Sequence, residues 1–296
     1  MGTSSSILAE LDDELILTNV LGITRIQCDG TTLVIIGERH GESSQSSDYI
    51  DMGHLLKHLL NQCKQKVEVF IEDHFRHRED VKRGWRLIEE SNLTMGNIHK
   101  LTYAKNDCSK VRVHLSDLRN RGIMSSLEYL FGRFQDGDTS DTFWREVNIV
   151  LETIDDFTSL AIKIINLQLR QDVTECARVA VGLMIQYGIR NEINSAIDAI
   201  HASNFGDVLS SLNIVMDSTM NAYLTARAFR SDLQSKVRIA YVGDIHRQQI
   251  AQTFDYIQQQ QLGPPSLVIS ETPTLEGEPH ITVNALRCAL NTKCDL

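Results

Sequence analysis

The chain has 296 residues, of which 42% are hydrophobic and 23% are charged, and this composition is typical of a globular protein. Its formal net charge of −10 argues against a protein that binds nucleic acid. No apolar run is long enough for a transmembrane helix, and the N-terminus lacks the apolar region of a signal peptide. The six cysteines are scattered without C-x-x-C spacing, which favours reduced thiols. We therefore expect a cytoplasmic protein.

The first residues of the chain fit the pattern for N-myristoylation at Gly2, with Ser6 at the favoured position. Small polar residues also occur at unmodified N-termini, so both states stay open at this point. One acyl chain gives only weak, reversible attachment to a membrane, and no basic cluster follows to strengthen it. Acylation at Gly2 would therefore make the protein peripheral and weakly membrane-associated.

Apolar runs along the chain predict buried strands of a mainly parallel sheet, because helical patterns separate most of them. An Asp-Gly turn signal precedes the first of these runs. The strands are predicted at residues 32–37, 67–71, 111–115, 237–242 and 267–269, and a helix is predicted at residues 248–261. This divides the chain into an N-terminal lead-in (1–25), an α/β core (26–121 and 236–271), a helical region (122–235) and a peripheral C-terminal segment (272–296).

The helical region between the two parts of the core has no proline and carries apolar residues at three-to-four spacing. This periodicity predicts several helices, with breaks at residues 136–138, at Gly188 and at residues 204–206. We interpret the region as an insertion or cap, with a surface available for forming a homo-oligomer. The fold class is therefore α/β, a mainly parallel sheet with flanking helices and a large helical insertion.

Acidic and histidine side chains follow the predicted strands, at the edge where open α/β sheets bind their ligands. Two of the strands end in the same order of glycine, acid, any residue and histidine, namely Gly37-Glu38-Arg39-His40 and Gly243-Asp244-Ile245-His246. The other strands end at Glu72, Asp117 and Glu271. Imidazole and carboxylate groups at one edge can bind a divalent transition ion or activate water. Polar loops explain one such strand end equally well, but five favour a functional site.

The paired Gly-x-x-His motifs resemble the superfamily that includes the TraB and Tiki proteins, the ChaN-like haem or iron-uptake lipoproteins and the erythromycin esterases. The matching segments are the first motif in its ChaN-like form (37–40), the acid-ended second strand (70–72), an Asp-x-x-Met helix (216–221) and the second motif (243–246). The resemblance covers roughly residues 33–76 and 216–254, in the right order, and the helical middle gives no match. Tiki-like members continue after the second histidine with glycine-rich sequence, whereas this chain continues with Arg247-Gln248-Gln249.

This resemblance implies an α/β fold of ChaN or Tiki type with a site formed by His40, Glu72 and His246, and with Glu38 alongside. It implies varied activities, which are metal-dependent proteolysis in Tiki-like members, ester hydrolysis in the esterases and haem binding in ChaN-like proteins. Arg39, Asp117, Asp217 and Asp244 are then expected to orient the ligands or contact the substrate.

We expect a hydrolase that cleaves a peptide or ester bond of a small-molecule or peptide substrate, assisted by Mn, Co or Zn. In this hypothesis His40 and His246 are metal ligands, Glu72 is a third ligand or a base, and Glu38 joins them as a catalytic residue. In a metal-free variant, His40 or His246 acts as the general base. The alternative is a non-catalytic protein of the same fold that binds haem, a metal or another protein. His54 and His58, four residues apart, fit a solvated helix face better than a zinc site.

Overall fold

The structure is a computed structural model, and it describes residues 16–17, 20–38, 49–50, 67–74, 111–119, 121–233, 235, 237–272 and 281–290. The chain divides into two compact units, which we call the sheet unit (Met1–Ser116 with Asp232–Leu296) and the helical unit (Asp117–Ser231). The sequence predicts the borders of the helical region at residues 122 and 235, and the structure places them at Asp117 and Ser231. Within the described ranges, no helix has the length and apolar character needed to cross a membrane.

The strands of the described residues all lie in the sheet unit. They are β1 (Ile16–Leu17), β2 (Val20–Cys28), β3 (Thr31–Glu38), β4 (Tyr49–Ile50), β5 (Val67–His74), β6 (Val111–Asp117, whose last residue begins the helical unit), β7 (Val237–Gly243), β8 (Val268–Thr272) and β9 (Ile281–Thr282). The helices are α1 (Arg121–Gln135), α2 (Asp141–Leu169), α3 (Glu175–Leu183), a π-helical segment (Met184–Asn191), α4 (Glu192–His201), α5 (Phe205–Ala228), α6 (Asp244–Gln259) and α7 (Val283–Leu290).

The main sheet has six strands in the order β6-β5-β7-β3-β2-β8. Strand β7 lies between β5 and β3 and is parallel to both, whereas β2 is antiparallel to β3 and to β8. The α/β class is confirmed. The predicted parallel arrangement holds for β5, β7 and β3. The sheet is mixed because a two-residue turn joins β2 to β3, and only antiparallel neighbours can be joined in this way.

The turn between β2 and β3 is the one that the Asp-Gly signal predicted. Asp29 has a φ of 49° and Gly30 a φ of 73°, and positive φ at both central residues is what a type I′ hairpin turn requires. Because this hairpin is part of the main sheet, residues 20–25 belong to β2 rather than to a lead-in. Val20 and Ile23 are buried there.

The carboxyl ends of β3, β5, β7 and β8 reach the same edge of the sheet. Register places Glu38 of β3 level with Gly243 of β7. Strand β8 runs in the direction of β3, because both are antiparallel to β2. On the other side of β5, Ser116 of β6 donates a hydrogen bond from its Oγ to the carbonyl oxygen of Ile71 at 2.7 Å. We call this edge the carboxyl edge of the sheet.

A buried polar cluster lies near the opposite ends of β5 and β7. The Nε2 atom of His114 is 2.7 Å from Oε2 of Glu68, and the imidazole stacks on the ring of Phe70. Glu68 is level with Arg238 of β7. Burial lowers the pKa of Arg238 to about 10, against the opposing effect of the Glu68 and Asp232 charges. This cluster ties three neighbouring strands together away from the carboxyl edge.

Helix α6 begins directly after β7, earlier than the prediction of residues 248–261. Gly243 is its N-cap residue and Asp244 its first residue. An acidic side chain in the first turn suits the positive end of the helix dipole, which favours starting the helix at this point. Asp244 and His246 therefore lie in the first turns of a helix and not in a loop.

The C-terminal segment differs from the peripheral position expected for residues 272–296. Strand β9 pairs with β1, and Ile281 at its start is buried. Leu286 of α7 is fully buried. The apolar face of α7 therefore belongs to the core of the sheet unit.

The cysteines differ from their predicted reduced state. Cys28 and Cys176 each take part in a disulfide bond, whereas Cys288 is an exposed thiol. The prediction of reduced thiols is wrong for the first two residues. Disulfide formation depends on the distance between two cysteines in the fold, and sequence spacing alone does not give this distance.

The helical unit contains the helices that the three-to-four periodicity predicted. Gly137, with a φ of 84°, lies in the predicted break between α1 and α2. Ser140 caps α2, because its Oγ accepts a hydrogen bond from the backbone N–H of Phe143 at 3.2 Å. Asn204 caps α5 in the same way, with Asp207 as the donor at 3.3 Å. These breaks at residues 136–138 and 204–206 are confirmed.

The predicted break at Gly188 is wrong, because this residue lies inside the π-helical segment. A Cβ atom at Gly188 would be 2.1 Å from Oγ and 2.6 Å from Cβ of Ser218 in α5. The glycine therefore allows the π-helical segment to approach α5 closely, and it does not end a helix.

Replacing Gly188 by alanine is expected to destabilise the helical unit by about 1–3 kcal/mol, the usual cost of overpacking. The double variant Gly188→Ala/Ser218→Gly should recover stability beyond the sum of the single changes, because the two nearest atoms are then absent. Gly182→Ala is the matched control, since no atom lies within 4 Å of its added Cβ. Urea unfolding measures all four variants. Equal losses at Gly182 and Gly188 would contradict the packing explanation.

Candidate functional site

The predicted site residues fall into three groups. Gly2, Arg39 and His40, together with His54 and His58, lie outside the described residues. Glu38, Glu72, Asp244 and His246 lie in the sheet unit, and Asp117 and Asp217 lie in the helical unit.

Glu72 near the end of β5 and His246 in α6 form a buried pair, although they are distant in the sequence. The Nε2 atom of His246 lies 3.4 Å from Oε1 of Glu72. The other carboxylate oxygen, Oε2, accepts a hydrogen bond from the backbone N–H of Gly243 at 2.6 Å. Only 2% of the His246 side chain and 8% of the Glu72 side chain are exposed. The two side chains are therefore held in a fixed geometry at the carboxyl edge.

The register of the strands explains why this pair forms. Ile71 is level with Tyr241, so Glu72 ends close to the point where β7 gives way to α6. The first N–H groups of a helix lack partners within the helix, and the helix dipole favours a negative charge there. Glu72 fits this position because it accepts from Gly243. His246 lies in the first turn of the same helix, and its ring reaches the other oxygen of Glu72.

The glycine of the first motif has a steric role that involves the second motif. Gly37 of β3 pairs with Gly22 of β2. A Cβ atom on Gly37 would lie 2.2 Å from Oδ1 of Asp244, and a Cβ atom on Gly22 would lie 2.5 Å from Cζ of Arg247. The two glycines thus form a groove, here called the glycine groove, which holds side chains from the first turn of α6. This contact joins the two motifs physically.

Asp244 and Arg247 occupy this groove as a hydrogen-bonded pair. The Nε atom of Arg247 donates to Oδ1 of Asp244 at 2.5 Å, and Gln248 donates to Oδ2 of Asp244 at 2.6 Å. Asp244 was predicted as an orienting residue, whereas Arg247 was missed. Its signal in the sequence was the departure from the glycine-rich stretch that follows the second histidine in Tiki-like proteins.

Glu38 turns away from this groove. Its Oε2 atom accepts a short hydrogen bond from the hydroxyl of Tyr241, and both side chains are buried. Successive strand residues face opposite sides of a sheet, so Glu38 faces the side opposite to Gly37 and therefore opposite to α6. This placement differs from the expectation that Glu38 stands alongside Glu72 and His246. Tyr241 gave no sequence signal, because an aromatic residue in an apolar run is typical of a core position.

Asp117 and Asp217, both predicted to orient ligands or contact substrate, share one cation within the helical unit. The Nε atom of Arg119 lies 2.9 Å from Oδ1 of Asp117, and its Nη1 atom lies 3.2 Å from Oδ1 of Asp217. The backbone N–H of Arg119 also donates to Asp117 at 2.9 Å. This ion bridge connects the start of the helical unit to α5.

The Glu72–His246 pair fits two ligands of one divalent ion. Two ligand atoms bound tetrahedrally at about 2.0–2.1 Å are separated by about 3.3 Å, and the observed separation of the carboxylate oxygen and the ring nitrogen is 3.4 Å. Among the described residues, no group of three or more His, Cys, Asp or Glu side chains could hold a metal ion. The third predicted ligand, His40, lies outside those residues.

Comparison of the chain with models of known protein families, with curated proteins and with solved structures found no match. The resemblance to the TraB, Tiki and ChaN-like proteins therefore stays an interpretation of the motifs.

Proposed function

We propose that the protein is a hydrolase that cleaves a peptide or ester bond with the assistance of a divalent ion, and that it is a distant relative of the TraB, Tiki and ChaN-like proteins. The observation that carries this proposal is the buried approach of His246 Nε2 to Glu72 Oε1 at 3.4 Å. This pair lies at the carboxyl edge of the sheet, where α/β folds bind their ligands. A purely structural ion pair does not need that position.

Glu72, His246 and His40 would hold the ion in this proposal, with Mn, Co or Zn as candidates. A bound ion of this kind acts as a Lewis acid and lowers the pKa of its water. The backbone N–H of Gly243 fixes one carboxylate oxygen of Glu72, so the other oxygen is directed at His246. Orientation of this kind by groups behind the ligands raises metal affinity.

The remaining parts of the proposal concern the location, the N-terminal modification and the oligomeric state of the protein. We propose that it acts in the cytoplasm, although disulfide bonds such as those of Cys28 and Cys176 are uncommon in that compartment. We also propose that Gly2 is myristoylated when a eukaryotic cell makes the protein, and that the helical unit supports a homo-oligomer. Myristoylation should appear in the intact mass of protein made in eukaryotic cells as one added acyl group, and its absence in Gly2→Ala is the control. An unmodified N-terminus in that mass spectrum would contradict this part.

Metal analysis followed by an activity screen tests the proposed function. Protein purified without chelators should contain a divalent ion, and hydrolysis of ester or peptide substrates should stop with EDTA and return with Mn, Co or Zn. Bound metal without hydrolysis under any of these ions would favour the binding-protein alternative. Haem absorbance in the purified protein would favour the haem-binding form of that alternative.

A further inference from the structure

Arg247 directly follows His246, and only 7% of it is exposed. Its guanidinium donates hydrogen bonds to Asp244 Oδ1 at 2.5 Å, to Thr24 Oγ1 at 2.9 Å and to Glu271 Oε1 at 3.1 Å. These acceptors belong to α6, β2 and β8. One buried side chain therefore ties the first turn of α6 to two strands of the sheet.

The glycine groove gives the same guanidinium the room to lie close to the sheet. A Cβ atom on Gly22 would lie 2.5 to 2.7 Å from three guanidinium atoms, and one on Gly37 would lie 2.9 Å from Nε of Arg247. Gly22 of β2 pairs with Gly37 of β3, so both strands lack a side chain at the point where the guanidinium lies. The groove gives the guanidinium its place, and the three acceptors hold it there by hydrogen bonds.

We propose that Arg247 is a positioning residue, which holds the first turn of α6 so that the ring of His246 stays against Glu72. Residues three apart in a helix lie on the same face, and Arg247 is bonded to Asp244 in this way across the turn that contains His246. The inference rests on the proposed function only where that function makes His246 a metal ligand. The position of His246 itself can be measured without metal or substrate.

Lysine is a poor substitute for arginine in this role. A guanidinium presents its N–H groups in a rigid planar fork, whereas a lysine ammonium is a compact charge on a flexible chain. Arg247 uses two of its nitrogens for three acceptors on different elements. An ammonium would keep the charge near Asp244 but lose the link to the strands.

Chemical modification of the metal-free protein by diethylpyrocarbonate at neutral pH tests the proposal, with mass spectrometry giving a rate for each histidine. His246 and His114 are both buried in the sheet unit and should react slowly in the parent protein. In Arg247→Met the rate at His246 should rise about tenfold or more, because protection follows local stability. The rate at His114 should stay unchanged, since its partner Glu68 is away from the carboxyl edge.

Three further variants give the comparison. Arg247→Lys and Thr24→Val should give intermediate rates at His246, and they keep the test open if Arg247→Met does not fold. Gln248→Ala, which removes the other donor to Asp244, should leave the rate at the parent value. If the modification rates of His246 and His114 rise together, Arg247 only stabilises the whole protein and the proposal is wrong. The proposal is also wrong if the rate at His246 stays unchanged in folded Arg247 variants.

Cobalt titration of the same proteins adds a second measurement. If the parent protein binds cobalt, Arg247→Met should bind it about 10–100-fold more weakly, because loss of a group that orients metal ligands typically lowers metal affinity by this factor. A cobalt affinity equal to that of the parent would count against a positioning role. If the parent binds no divalent ion, the metal-assisted function fails, and the modification rates still decide the role of Arg247.

Discussion

Gly37→Ala is expected to destabilise the protein by about 3 kcal/mol, at the upper end of the usual cost of overpacking. The added Cβ would lie 2.2 Å from Oδ1 of Asp244 and 2.9 Å from Nε of Arg247. Neither side chain can move away cheaply, because the two are bonded to each other and Arg247 also binds Thr24. Urea unfolding at neutral pH gives the difference in the free energy of unfolding.

Gly132→Ala is the matched control for this substitution. Gly132 lies inside α1, and no atom is found within 4 Å of an added Cβ. Alanine should stabilise the protein there by about 0.5–1 kcal/mol, because glycine is a poor helix former. The same chemical change should therefore have opposite signs at the two positions. A Gly37→Ala protein as stable as the parent would show that the glycine groove has no steric role.

The sequence predicted the carboxyl edge well because each buried strand ends in a recognisable way. The apolar runs before Gly37 and Gly243 form adjacent parallel strands, and the two motifs are nearly level, with Glu38 beside Gly243. Glu72 and His246, two of the residues predicted to form one site, lie 3.4 Å apart. Buried parallel strands give continuous apolar runs, so their ends are visible in a single sequence.

The side of the sheet that each residue faces was harder to predict. Glu38 and Glu72 were expected in one site, yet Glu38 is bonded to Tyr241 on the side of the sheet opposite to Gly37. A shift of one residue along a strand reverses the facing of its side chains, and the sequence does not fix strand ends to one residue. The sequence also does not reveal the contacts of Arg247, because it predicts a lead-in for the segment that contains Gly22.

Glycines in helical sequence also had two explanations that the sequence could not separate. Gly137 ends α1 with a positive φ, whereas Gly188 permits the contact with Ser218 in α5. A glycine favours a turn by its backbone freedom and favours close packing by its lack of a side chain. Only the neighbouring element decides between these roles, and that neighbour is distant in the sequence.

Glu72→Gln and His246→Ala are expected to reduce metal affinity by more than the roughly 10–100-fold that loss of an outer partner causes. Each removes one of the three proposed ligands, and His40→Ala should do the same. His54→Ala and His58→Ala are the controls, since a zinc site formed by these two residues would lose its metal in these variants instead. Metal content, measured in parallel with the thermal midpoint, separates a lost ligand from a lost fold.

If the parent protein binds the proposed ion, acidification should release it, and the steepness of this release should differ between variants of the proposed ligands. Neutral imidazole binds a metal and imidazolium does not, so protons compete with the ion as the pH falls through the range in which histidines titrate. Glu72→Gln keeps both histidines, so any residual binding in that variant should retain the pH dependence. His246→Ala loses one of the two competing imidazoles, and its residual binding should depend less steeply on pH. Equal occupancy and equal pH dependence in the folded parent, Glu72→Gln and His246→Ala proteins would show that the metal binds elsewhere.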